Sequence, residues 1–218
     1  MLPMNLRAVM PALSGKHYFN YGGQGPLPTP SLEAMVACWK ELQRLGPFSR
    51  DVWPFVEAET SALRRRLAQL CGVPPHRLSL TENVTSGCVL PLWGLPFDSG
   101  DTLLLSDAEH PGVVAACQEL ARRQGLSISW FSARDCRSDQ AVLESLEAAL
   151  EPSTRLVVLS HLLWNSGLTM PIEAVADRLK QHPRQPWLLV DAAQSMGSLE
   201  LGSVPNTADI YAFTGHKW

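Results

Sequence analysis

Beyond residue 100 the chain alternates between short apolar runs and longer stretches in which apolar positions recur every three or four residues. The short runs cover residues 102–106, 127–131, 155–160, 187–190 and 210–214, with an earlier one at 77–81. Leu156-Val157-Val158-Leu159 shows their character: several are apolar on both alternations, which predicts strands covered on both faces. The stretches near residues 85–94, 111–124, 138–150 and 171–182 predict helices between most of these strands. Strand–helix alternation of this kind predicts the α/β class, a mostly parallel sheet with helices on both faces.

The first hundred residues read differently. Gly22, Gly23, Gly25, Pro26, Pro28 and Pro30 break any regular element over residues 1–30. Ser31 is the expected N-cap of an amphipathic helix that runs to about Leu45 and stops at Gly46-Pro47. A second helix is expected from about Pro54 to Leu70, with Pro54 in its first turn and Gly72 closing it. The expected organisation is an N-terminal segment, residues 1–30, followed by one large domain, residues 31–218.

Composition narrows the function classes. The 218 residues are 45% hydrophobic with a formal net charge of −3, which suits a sizeable core and gives no basic footprint for nucleic acid. No apolar run reaches the ~20 residues of a membrane helix, and the first residues lack the layout of a secretory signal. Cys38, Cys71, Cys88, Cys117 and Cys136 are odd in number, widely spaced and without a CxxC pair, the pattern of reduced thiols in a cytoplasmic protein. No His or Cys cluster has the spacing of a structural zinc site, and no metal is expected.

Polar residues collect where the apolar runs end, and in parallel sheets ligands bind beyond the carboxyl ends of the strands. Thr85-Ser86-Gly87 follows the first run, Glu109-His110 the second, the stretch from His161 to Asn165 the fourth, Asp191 to Gln194 the fifth and His216-Lys217 the sixth. Asp191 at the end of a buried strand needs a partner cation, and a protonated ring nitrogen is one; a helix cap and a magnesium ligand are others. Lys217 emerges from the apolar stretch Tyr211-Ala212-Phe213, so it can meet an aldehyde and form an imine, although a solvated lysine is the common fate. The start of the helix at Asn83-Val84-Thr85-Ser86-Gly87 suits a phosphate as well as an ordinary cap. His110 suits stacking on a flat ring or a satisfied turn. No GxGxxG or GxxxxGK follows a strand, which sets a nucleotide fold lower.

The order TENVTSG, EHP, SHLLWNSG, DAAQS and FTGHKW resembles the class V aminotransferases, a branch of the fold-type I pyridoxal-phosphate (PLP) enzymes. Within that family the segment YFNYGGQGPLP at 18–28, together with GPFS at 46–49 and VLPLWGL at 89–95, is similar to the cyanobacterial L-cysteine/cystine C–S lyases. The resemblance runs from about residue 16 to 218. It implies PLP as cofactor, held by Lys217 as the Schiff-base lysine, which also moves the proton. It further implies that Val84, Thr85, Ser86, Thr214 and His216 hold the phosphate and that Asp191 pairs with the ring nitrogen. His110 would stack on the ring as a catalytic residue, Gln194 and Asn165 would bond its phenolic oxygen, and Gly22, Gly23 and Gln24 would lie near the substrate entrance.

The implied activity is α,β-elimination from cysteine or cystine, a reaction of sulfur metabolism on a small amino-acid substrate, in a cytoplasmic homodimer. Cysteine desulfurase, aminotransferase and epimerase activities belong to the same family, and a non-catalytic chain is the reading of another class. Family members continue past the lysine into more of the large domain and a small C-terminal domain that supplies an arginine for the substrate carboxylate. On that comparison the chain is expected to be an N-terminal fragment, truncated before the small domain.

Overall fold

A computed structural model describes residues 6–217. The described residues divide into two compact units, one of residues 6–69, 74–78 and 216–217, the other of residues 70–73 and 79–215.

In the first unit, helix α1 covers Thr29–Leu45. It begins two residues before the expected cap: Pro28 stands at the N-cap without a side-chain hydrogen bond, and the Ser31 N–H bonds the Pro28 carbonyl at 3.0 Å. Pro30 in the first turn explains the shift, because its missing N–H is one that a helix start leaves unused. Gly46, at φ 81°, ends the helix. Helix α2, Val52–Cys71, starts earlier than Pro54 because the Ser49 hydroxyl accepts the Val52 N–H at 3.1 Å.

The run at 77–81 is not a strand. Pro74 and Pro75 open a single 3-10 turn, Pro75–Arg77, and the Leu78 carbonyl accepts from Arg64 Nε at 3.1 Å rather than from a ladder. The other five runs are strands.

In the second unit these are β1 (Thr102–Ser106), β2 (Ser127–Phe131), β3 (Thr154–Ser160), β4 (Trp187–Asp191) and β5 (Ile210–Ala212). They form one parallel sheet in the order β2-β1-β3-β4-β5. Helices α3 (Val84–Gly94) and α4 (Pro111–Gln124) cover one face, and α5 (Asp139–Ala149) and α6 (Ile172–Gln181) the other. A short α7, Val204–Thr207, precedes β5.

Strand alternation sorts the core into two layers. Leu103, Leu105, Leu156, Val158 and Leu189 pack with Cys88, Leu92, Val113, Cys117 and Leu120. Leu104, Val157, Leu159, Leu188 and Val190 pack with Val142, Leu146, Ile172, Val175 and Leu179. The chain runs outward from β1 to β2, then returns past β1 to build β3, β4 and β5. Right-handed crossovers put the helices of the two directions on opposite faces. The order therefore reverses between β1 and β3, and the crevice beyond the strand ends opens there.

Candidate functional site

The strand ends Ser106, Ser160, Asp191 and Ala212 share the carboxyl edge of the sheet, with Ser160 opposite Asp191 and Asp191 opposite Ala212 in register. Asp191 is buried, and its Oδ1 accepts the Ala193 N–H at 2.9 Å. The helix considered for residues beyond Ala192 does not form; a series of turns follows instead. Asp191 thus closes a local turn rather than capping a helix. Gln194 in that turn is half-buried, and Thr214, beyond β5, is buried.

Helix α3 begins without a strand before it, but its first turn reaches this edge. Asn83 caps it, Oδ1 accepting the Ser86 N–H at 2.9 Å, while the Thr81 hydroxyl donates to the Asn83 carbonyl at 3.0 Å. Gly87 lets the helix lie on β5, since a Cβ there would stand 3.3 Å from that of Ala212. The amides of Val84 and Thr85 have no partner within the helix, as in any first turn, and the dipole and the Thr85 hydroxyl add to an anion-holding end.

His110 is the N-cap of α4, and its Nδ1 accepts the Gly112 N–H at 3.1 Å. That bond leaves Nδ1 without a proton and the ring exposed. A Cβ at Gly112 would come within 3.2 Å of His110 Nδ1 and 3.8 Å of Thr85 Oγ1, so this glycine keeps the two helix starts close. Asn165 stands exposed at the tip of a small loop closed by the Leu162–Thr169 bridge. Among the described residues no hydrogen bond joins Asn165 to the other candidates.

In the first unit, the Tyr18 hydroxyl donates to the carbonyls of Asn20 at 3.0 Å and Gln24 at 2.7 Å, pinning the turn that holds Gly22, Gly23 and Gln24. The next residue, Gly25, donates its N–H to the His216 carbonyl at 2.9 Å. His216 is exposed and Lys217 half-buried. Gly22–Gln24, His216 and Lys217 thus belong to the same unit, and the other candidates to the sheet unit.

Sequence reasoning assigned nothing to two buried polar clusters at the sheet edge. Glu109 Oε1 accepts from the Ser106 hydroxyl and, at 2.8 Å, from the Ser160 N–H, while Oε2 accepts from the Ser160 hydroxyl at 2.8 Å. Burial pushes its carboxyl up to about 7, helped by the charge of Asp191 and opposed by these hydrogen bonds. In the second cluster, buried His161 shares a hydrogen bond of 3.0 Å between Nδ1 and the Tyr211 hydroxyl, which lies 3.2 Å from Ser195 Oγ. Burial lowers the His161 imidazole and pushes the Tyr211 phenol up to about 12. The signal for Glu109 was its place beside His110 at a strand end; His161 carried the same signal.

Among the described residues no group of three His, Cys, Asp or Glu side chains could hold a metal ion, and no helix is long and apolar enough to cross a membrane.

The family described as aminotransferase class-V matches residues 55–218. Among solved structures, the cystine C–S lyase C-DES in complex with its reaction product cysteine persulfide is 42% identical, with a TM-score of 0.89, over 96% of this chain and 55% of that one. A lysine-to-alanine mutant of C-DES, with glycine covalently linked to the PLP cofactor, is 41% identical with a TM-score of 0.91, over 97% of this chain and 56% of that one. Isopenicillin N epimerase of Streptomyces clavuligerus is 32% identical over 204 residues, 91% of this chain and 49% of the relative. The cysteine desulfurase IscS of Pectobacterium atrosepticum is 28% identical over 92% of this chain and 50% of the relative. The chain spans about half the length of the curated relatives it matches.

Proposed function

Because the chain belongs to the aminotransferase class-V family, we propose that it forms the PLP-binding part of a lyase that acts on cysteine or cystine by α,β-elimination. One observation carries the reading: the carboxyl edge of the sheet gathers an anion-holding helix start, an exposed imidazole and a buried carboxylate in one donor set. That set fits the phosphate, the ring face and the ring nitrogen of PLP. The likeness to a cystine C–S lyase along nearly the whole chain supports the choice of reaction.

Val84, Thr85 and Ser86 at the start of α3, with Thr214 and His216, would hold the phosphate. His110 would lie on the ring, Gln194 and Asn165 would bond its phenolic oxygen, and Asp191 would keep the ring nitrogen protonated. When bound, the cofactor supplies the electron sink for the carbanion at the substrate α-carbon. Lys217 would hold the cofactor through Nζ and, once the substrate amine replaces it, take the α-proton. Loss of the β-sulfur group from cystine and hydrolysis of the remainder would give cysteine persulfide, pyruvate and ammonia. Gly22, Gly23 and Gln24 would border the substrate entrance.

A homodimer is part of the proposal, supported by the exposed apolar face of α1 with Leu32, Met35, Val36 and Trp39. The cytoplasm is its proposed compartment, supported by five free cysteines. An epimerase is the second reading, favoured by the 32% identity to isopenicillin N epimerase.

The test is pyruvate release from L-cystine by the whole lyase that this chain is proposed to be part of, supplied with PLP. The lyase reading expects pyruvate that Lys217→Ala abolishes, and full release by Lys217→Ala would sink it. Epimerised amino acid without pyruvate would shift the assignment to the second reading.

A further inference from the structure

Glu109 has no task in the proposed site, yet it is a buried carboxyl of the sheet unit, 6% exposed. It stands where the strand order reverses, reaching from the loop after β1 to the end of β3. Ser160, which gives it both an N–H and a hydroxyl, is the register partner of Asp191. Glu109, Ser160 and Asp191 thus follow one another along the ends of three neighbouring strands.

The groups facing Glu109 can be named element by element. Ser106 lies at the end of β1, Ser160 at the end of β3, Asp191 at the end of β4, Cys88 on α3 and Cys117 on α4. Both thiols are pushed up by burial, Cys117 to about 12, and stay uncharged near neutrality. Among the described residues, the charge that acts on Glu109 is that of Asp191. A buried carboxylate is costly, and a neighbouring negative charge makes it more so. The bonds from Ser106 and Ser160 favour the ionised form against burial and the charge of Asp191, and the Ser160 hydroxyl can serve the neutral form as well. A protonated Oε2 donates to Ser160 Oγ, while Oε1 still accepts from Ser106 and from the Ser160 N–H.

We propose that Glu109 is a positioning residue of the cofactor site: held by Ser106 and Ser160, it keeps a proton near the charge of Asp191 and acts through Asp191, so that the two carboxyls of the sheet edge carry one negative charge between them. This rests on the reading that Asp191 faces the ring nitrogen of PLP. The coupling runs both ways, so a cation placed against Asp191 makes Glu109 easier to ionise.

The experiment is a carboxyl-carbon NMR titration of the whole chain, labelled at glutamate, without cofactor. One glutamate signal is expected to titrate near pH 7, to be missing in Glu109→Gln, and to move to lower pH in Asp191→Asn. A Glu109 signal in the ordinary carboxylate range overturns the proposal, as does a titration that Asp191→Asn leaves in place. Should Asp191→Asn fail to fold, the wild-type chain decides by itself. PLP added and bound at Lys217 must move the Glu109 titration to lower pH, and an unmoved signal overturns the coupling. Absence of any PLP adduct would remove the cofactor reading instead, while the cofactor-free position of the Glu109 signal still tests whether it holds its proton.

Discussion

The sheet unit and the helices of the first unit solve opposite problems with similar residues. In the sheet unit Leu104, Leu156 and Leu159 are fully buried, each in a layer closed by helices of the same unit. Helix α1 buries none of its 17 residues, and Trp39 is 70% exposed although it shares a helical face with Leu32, Met35 and Val36. Both regions carry clear apolar periodicity. The difference is that the sheet finds its partners within its own unit, whereas the apolar face of α1 remains open. Periodicity therefore announces an element in both places, but stability follows burial.

The largest effect should separate the two regions directly. Leu159→Ala empties a fully enclosed position on β3 and should cost about 2–5 kcal/mol in urea unfolding followed by tryptophan fluorescence. A loss under 1 kcal/mol would mean that the layer beneath β3 is not packed as described.

The next effect depends on pH and belongs to the sheet unit alone. The Glu109 carboxyl is raised from 4.5 to about 7 by burial, so the group contributes stability that is full below 4.5 and lost as pH rises through 7. The contribution is of the order of 3 kcal/mol, and Glu109→Gln should remove that slope from midpoints measured between pH 4.5 and 8. An unchanged slope would assign it to other groups. The smallest effect should be on α1 of the isolated protomer, where Trp39→Ser, measured at concentrations too low for a dimer, is expected to change unfolding by less than about 0.5 kcal/mol. A loss of several kcal/mol would show that this face is covered in solution, and sedimentation of the same variant would tell whether a second copy covers it.

The same contrast explains what could be read from the sequence. The strands at Thr102–Ser106 and Ser127–Phe131 have the limits that their runs suggest, although only the first is buried along its whole length. The run at 77–81 has the same look, but adjacent prolines and the Arg64 side chain take its backbone out of any ladder. The start of α1 was misjudged because a proline, not a hydroxyl, sets it. At the site, Asp191 and His110 could be located from the strand ends alone, whereas their roles rest on resemblance. The bond of Glu109 to Ser160 joins residues 51 positions apart. It depends on which strands become neighbours, and local pattern does not carry that information.

The central claim, that this chain holds PLP through Lys217, is tested most directly by adding PLP, reducing with borohydride, and locating the adduct by peptide mass spectrometry. The account predicts a pyridoxyl group on Lys217 that is lost in Lys217→Ala. No adduct, or one spread over Lys16, Lys40 and Lys180, would contradict it.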